Sequence, residues 1–283
     1  MSGREITVSE VVCRAIGQSY ERLVEHEAEL RLDDDPESVH QARVATRRLR
    51  SDLRTFEQFV DPQWAADLRA ELRWLGSELG AVRDIEVQRD RLRAHAGRLP
   101  PVEADAARRV LRRLDADRAA EKSELIAMLN QTRYAQLRTQ LAAAACYPTF
   151  TEAARENARD ALVPVVRARA KKVRGAVRRL GNNPPDEALH AVRVRAKQCR
   201  YAAEACAPAL GKPARRLARS MTKVQDVLGE HHDAVVASAW LAKTADECSA
   251  GEAYAIGMLA QIEREAAAIA RAEFPAVWRR ASR

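Results

Sequence analysis

Two stretches of the chain carry side chains whose types and spacing suit one chemistry. Residues 39–50 read Val-His-Gln-Ala-Arg-Val-Ala-Thr-Arg-Arg-Leu-Arg, and residues 189–200 read Leu-His-Ala-Val-Arg-Val-Arg-Ala-Lys-Gln-Cys-Arg, an offset of 150. Each sets a histidine before cations at +3, +7 and +10: His40, Arg43, Arg47 and Arg50, then His190, Arg193, Lys197 and Arg200. At the helical advance of about 100° per residue, each set falls within an arc of about 80°. Arg54 extends the first arc, whereas Glu204 stands at that place in the second and is expected to pair with a neighbouring cation. Ala42, Ala45, Leu49, Leu53 and Phe56 lie opposite the first stripe, and Val192, Cys199, Ala203 and Cys206 opposite the second. Such a helix has an apolar face for a core and a separate cationic row rising about 5 Å per turn. Arginine presents a planar fork of donors that matches phosphate or carboxylate oxygens and stays charged at any working pH. One stripe could simply pair with carboxylates on the next helix, for which Asp84, Asp226 and Asp233 are available. Two matched stripes favour an extended polyanion.

The histidines admit three roles: structural hydrogen-bonder, phosphate contact or metal ligand. Metal ranks below the other two, because no H-x-x-x-H or H-E-x-x-H spacing occurs. His231, His232 and Asp233 form the remaining cluster, and adjacent helical residues point about 100° apart. Without a nucleophile–base pattern, catalytic roles are weaker still. No G-x-x-x-x-G-K-[ST], G-x-G-x-x-G or G-x-S-x-G is found, so no catalytic residue, metal or cofactor is expected. The five cysteines are odd in number and lack C-x-x-C, which indicates neither a disulfide framework nor a zinc site; Cys199 and Cys206 read as buried small hydrophobes. Nucleic acid is the competing polyanion, although aromatics are 5 % of the chain and do not interleave with the cations.

The elements that position these residues are helical. The 283 residues are 47 % apolar and 31 % charged, with 11 Gly and 11 Pro, and Ala, Leu, Arg and Glu dominate. Apolar residues recur at three and four, with no period-2 runs. Breaks near 33–36, 61–62, 100–101, 147–148, 182–185, 208–213 and 248–251 give about eight helical segments, with Asp35 and Asp61 as N-caps. A second pair of blocks, 79–84 (Leu-Gly-Ala-Val-Arg-Asp) and 228–233 (Leu-Gly-Glu-His-His-Asp), repeats at an offset of 149. The expectation is an all-α single domain over 1–283 built from a duplicated four-helix unit, repeat 1 at about 1–145 and repeat 2 at about 151–283. The longest uncharged run, 139–151, is 13 residues, short of the ~20 that span a membrane, and residues 1–5 do not open a signal peptide. A soluble, reduced, intracellular protein is expected.

The net charge of +8 is unevenly spread: residues 1–150 hold 24 basic and 25 acidic side chains, residues 151–283 hold 24 and 15. Residues 167–179 hold seven cations and no acid. Like charges three and four apart repel unless an anion lies against them. On charge density Lys171, Lys172, Arg174 and Lys223 join the candidate polyanion contacts, and the second half is expected to hold the ligand more strongly.

At residues 39–50, 75–84, 189–201 and 224–233 the sequence resembles the CHAD family, the conserved histidine α-helical domain. The resemblance runs over essentially the whole chain. It implies two four-helix bundles related by a pseudo-twofold axis around a basic central surface. It further implies binding of inorganic polyphosphate and targeting to polyphosphate granules; with enzyme motifs absent, a non-catalytic binder in the cytoplasm is expected. Carried over position by position, it marks His40, Arg43, Arg47, Arg50, His190, Arg193, Lys197 and Arg200, with Arg48 and Arg195 beside the motif. Many relatives carry an N-terminal triphosphate-tunnel domain, and this chain is expected to begin at the first CHAD helix. A metal-dependent phosphotransfer enzyme using the motif histidines and a nucleic-acid binder are the competing readings.

Overall fold

A computed structural model describes residues 6–32 and 35–282. The reading of residues 1–5 and the aspartates at 33 and 34 lie outside them. The described residues form nine α-helices: α1 (Val8–Leu32), α2 (Pro36–Thr55), α3 (Pro62–Ala96), α4 (Pro101–Leu129), α5 (Thr132–Cys146), α6 (Ala158–Arg178), α7 (Asp186–Leu210), α8 (Lys212–Ala245) and α9 (Ala250–Ala281). The all-α expectation stands.

Capping chemistry sets several boundaries. The Asp35 carboxylate accepts from the Glu37 amide ahead of Pro36, and that of Asp61 accepts from the Trp64 amide ahead of Pro62. Asn157 caps α6 and a Ser249–Glu252 capping box opens α9. One boundary differs from expectation, and another falls inside the expected 208–213 break. The chain turns at Asn130 and Gln131 without a proline or glycine, so the first half has a fifth helix, α5. Pro208 lies inside α7, and the break falls on Gly211, whose φ of 67° suits a residue without a Cβ.

In packing order α1–α4 and α6–α9 run alike, each helix against the next. Two separate four-helix bundles nevertheless understate the packing, since three apolar cores form. One joins α1, α2, the first part of α3 and α5, and takes in Leu162 of α6 and Cys206 of α7. A second lies among α6, α7, α8 and the end of α9. The third forms where Leu92 of α3, Leu111 of α4, Leu241 of α8 and Leu259 of α9 meet, so the long helices of both halves share one distal core. Near α1 and the α2–α3 turn the segment before α6 ties the halves together. There Asp61 N donates to Thr149 O at 2.8 Å and Ala158 N to Ile6 O at 2.9 Å.

One buried acid sits beneath the central helix. Asp52 of α2 is 5 % exposed and takes a hydrogen bond from the Ser19 hydroxyl at 3.3 Å. Burial pushes its carboxyl up to about 8, against the pull of Arg48. Between about pH 4 and 8 the folded chain therefore holds a proton that the unfolded chain has lost. This contribution to stability is complete below pH 4 and is lost as pH rises through 8. Asp52→Asn is expected to narrow the difference in Tm between pH 5 and pH 8. An unchanged difference in thermal melts would show Asp52 ionised in the fold.

Candidate polyanion groove

The two repeated motifs meet across the middle of the molecule. α2 and α3 supply one wall, α7 and α8 the other, and the apolar stripes opposite the motifs are buried: Ala42, Leu49 and Leu53 on α2, Val192, Cys199 and Cys206 on α7. Between the walls lies a cleft of about 460 Å³, lined by His40, Arg43, Arg47, Arg83, Arg91, His190, Arg193, Lys197 and His232 with Asp84 and Asp233.

The second repeated block explains the placement of the first. Arg43 crosses α3 at Gly80, where a Cβ would stand 3.4 Å from its Nη2, and Arg43 Nη1 donates to Asp84 at 2.5 Å. Arg193 crosses α8 at Gly229, where a Cβ would stand 3.7 Å from its Nε, with Asp233 at 4.0 Å. In each half the guanidinium lies over the neighbouring helix at that glycine, with the aspartate one turn on beside its end. The position before that aspartate differs, Arg83 in one half and His232 in the other. His232 Nδ1 lies 3.2 Å from His190 Nδ1, with ring centroids 4.4 Å apart. Burial, then Arg193 and His190, push His232 down to about 4, and burial followed by cations lowers His40 and His190. The cleft thus holds neutral imidazoles among permanent cations. His231 points elsewhere, its Nε2 3.2 Å from Asp186, as the 100° separation of adjacent residues requires.

The cleft continues along α2 and α7. Arg47 and Lys197 also line a second segment of about 200 Å³ with Arg50, Arg54, Arg69, Arg73 and Tyr201. Arg54 and Gln198 then line a third of about 420 Å³ with Arg169, Lys172, Arg195 and Glu57. The three segments share residues and form one track with thirteen Lys or Arg against three carboxylates, an imbalance that internal pairing leaves largely unneutralised. The Nε atoms of Arg43, Arg47 and Arg83 are buried and make no hydrogen bond, a desolvation cost that the surrounding fold carries.

The remaining expected residues lie elsewhere. Arg200 stacks on the Tyr201 ring at 4.9 Å and lies 3.8 Å from Glu204, which takes Arg48 at 2.8 Å, so Glu204 pairs internally as its position on the wheel suggests. Lys171 and Lys223 are exposed and line none of the three segments, and Arg174 lines a separate cleft. Of the acid-free stretch 167–179, only Arg169 and Lys172 reach the track. The first half therefore supplies more of its cations than the uneven net charge suggests.

Sequence reasoning missed Arg69, Arg73, Arg83 and Arg91, which sit on α3 among mixed charges. It also missed the acids that fix two of them. Glu86, 0 % exposed, accepts from Arg118 Nε at 3.0 Å and Arg83 Nη1 at 3.4 Å. Glu263, also 0 % exposed, accepts from Arg91 Nε at 2.6 Å and from His95, while Glu230 takes the outer nitrogens of Arg91. A signal existed: Leu72, Leu75, Leu79, Val82 and Glu86 form one helical stripe, and a carboxylate in an apolar stripe is buried only with partners.

Among the described residues no group of three or more His, Cys, Asp or Glu could hold a metal ion, and no helix is long and apolar enough to cross a membrane. Burial pushes the Cys199 and Cys206 thiols up to about 12.

Lys197 is the most strained cation of the track. Burial, then Arg47, Arg193, Arg43 and Arg200, lower it to about 7. Between pH 7 and 10.5 the unfolded chain holds this proton and the folded chain does not, so folding becomes more favourable as pH rises through that window. Lys197→Met is expected to raise the Tm most near pH 6, with a gain that shrinks toward pH 9. Equal gains at both pH values would contradict a Lys197 that titrates near neutrality.

A family model described as the CHAD domain matches residues 14–242. Two uncharacterized proteins of Mycobacterium tuberculosis, one from strain CDC 1551 and one from H37Rv, are each 32 % identical over 280 residues. The alignment covers 95 % of this chain and 52 % of each relative, so the chain spans about half the length of the curated relatives it matches. Among solved structures, PptA from Streptomyces chartreusis superposes with a TM-score of 0.79 at 22 % identity, covering 97 % of this chain and 100 % of that one. The CHAD domain from the plant Ricinus communis superposes with a TM-score of 0.68 at 23 % identity, covering 95 % and 87 %. These two likenesses are of fold. The match to the family model over residues 14–242 establishes that the chain belongs to the CHAD domain family.

Proposed function

We propose that the protein binds inorganic polyphosphate along the central track without turning it over, and that it does so in the cytoplasm at polyphosphate granules. The observation that carries this reading is the continuity of the track: three joined segments in which cations outnumber carboxylates thirteen to three. A linear phosphate chain offers repeated oxygens with no base to read, which suits a row of arginine forks.

Nucleic acid fits the track less well. Its one aromatic lining residue, Tyr201, is 3 % exposed, with its hydroxyl against Arg47 and its ring against Arg48 and Arg200, so no stacking platform faces a base. Supporting binding over phosphotransfer, His190 and His232 face each other, and Asp84 is turned to Arg43. Incubation with polyphosphate and a divalent metal, followed by chain-length analysis, is expected to leave the chains unchanged. Shortened chains would favour an enzyme.

Affinity is expected to fall steeply with salt and rise with chain length. Arg47→Glu with Lys197→Glu should weaken binding by about 100-fold and flatten the salt slope, whereas Lys171→Glu on the outer face should change it little. Equal losses from both changes, or long-chain polyphosphate binding no better than free phosphate, would overturn the reading.

Binding should also take up a proton. Polyphosphate favours the charged form of Lys197, which burial and its cationic neighbours otherwise hold near 7. The affinity of the wild-type protein is expected to fall as pH rises above 7, and Lys197→Met to flatten that dependence. Calorimetry in buffers of different ionisation enthalpy measures the uptake directly.

A further inference from the structure

Away from the track, a cleft of about 770 Å³ opens between α6, the start of α8 and the end of α9. Its floor is apolar, with Ala170, Val173, Leu217, Met221 and Trp278. Its rim carries Arg174, Lys212, Arg215, Arg216 and Arg219, and among the described residues no carboxylate side chain lines it.

The first half shows what such a place holds. With offsets of 150 and 149, Val173 corresponds to Leu23, Met221 to Leu72 and Trp278 to Leu129. Those three leucines are buried in the same core as Tyr134, Leu137, Leu141 and Ala144 of α5. α5 is thus an amphipathic helix seated on the face of α1, α3 and α4 that corresponds to the open cleft, where no described helix lies. Ion pairs fix its polarity: Arg133 Nε donates to Glu71 at 2.8 Å, and Arg138 lies 3.4 Å from Glu27. A basic helix rests there on an acidic face. In the second half the acids are gone, since Asp67 corresponds to Arg216, Glu71 to Ser220 and Glu27 to Val177. The apolar floor remains and the charge is reversed.

We propose that this cleft is the docking site of an acidic amphipathic helix from a partner protein, seated as α5 is seated in the first half. Apolar residues at helical spacing would cover Trp278 and Leu217 while glutamates or aspartates meet the arginine rim. The proposal is independent of polyphosphate binding, because none of the cleft's residues lines the track.

The test uses a labelled synthetic peptide of residues 131–146 in which Arg133, Gln136, Arg138 and Gln140 are each replaced by Glu, leaving the four apolar anchors in place. Fluorescence anisotropy with the full chain is expected to show saturable 1:1 binding at roughly micromolar concentrations. Arg216→Glu with Arg219→Glu should weaken it about tenfold or more while polyphosphate affinity in the track stays unchanged, which also shows that the variant is folded. A scrambled peptide of the same composition should bind about tenfold more weakly, because its anchors no longer share a face. The proposal is overturned if the scrambled peptide binds as well, since the cleft is then a plain anion patch. It is equally overturned if the peptide fails to saturate by about 1 mM, or if vesicles containing phosphatidylglycerol bind through the same arginines and the peptide does not.

Discussion

The mutual repulsion of cations across α2 and α7 is the constraint around which the molecule is arranged. Arg47 and Lys197 share two segments of one track, and neither can relax into solvent without leaving its wall. Burial and then that repulsion lower Lys197 to about 7, and burial followed by Arg73, Arg54 and Arg69 lowers Arg50. Such an arrangement persists only if something stiffer holds it. Three apolar cores do so from behind, and the buried carboxylates of Glu86 and Glu263 tie down the arginines that the cores cannot reach. The site is thus preorganised by packing, with its electrostatic cost borne by the whole fold.

The repeated Leu-Gly-x-x-x-Asp block is the local device that makes this arrangement buildable twice. Leucine enters the core, an arginine from the adjacent helix passes over the glycine, and the aspartate one turn later lies at that arginine's end. The two copies are not equal. Arg43 meets its aspartate at 2.5 Å and Arg193 only at 4.0 Å, while the residue before the aspartate is arginine in one copy and histidine in the other. One end of the cleft is consequently permanently charged and the other carries a neutral imidazole pair.

Much of this was legible in the sequence, and the residues show why the rest was not. The motif stripes, the aspartate caps and the internal pairing of Glu204 follow from periodicity and side-chain chemistry, which act locally. The helix α5 was not legible, because Asn130 and Gln131 end a helix without proline or glycine and the turn is set by burial of Tyr134 and Leu137. Arg69 and Arg73 were hidden among mixed charges, since only the approach of α3 to α2 brings them beside Arg50. The acid-free stretch 167–179 misled in the opposite direction: its density is real, yet most of it faces outward, because a helix can turn only one side to a groove.

The walls of the track belong to different halves of the chain, one to α2 and α3 and the other to α7 and α8. A ligand lying along it therefore acts as a non-covalent staple across the molecule. Its binding free energy is shared by both halves, so neither can unravel without releasing it. Occupancy would convert two helical units with partly separate cores into one cooperative unfolding unit, and the longer the bound chain, the more of α2 and α7 it would lock together.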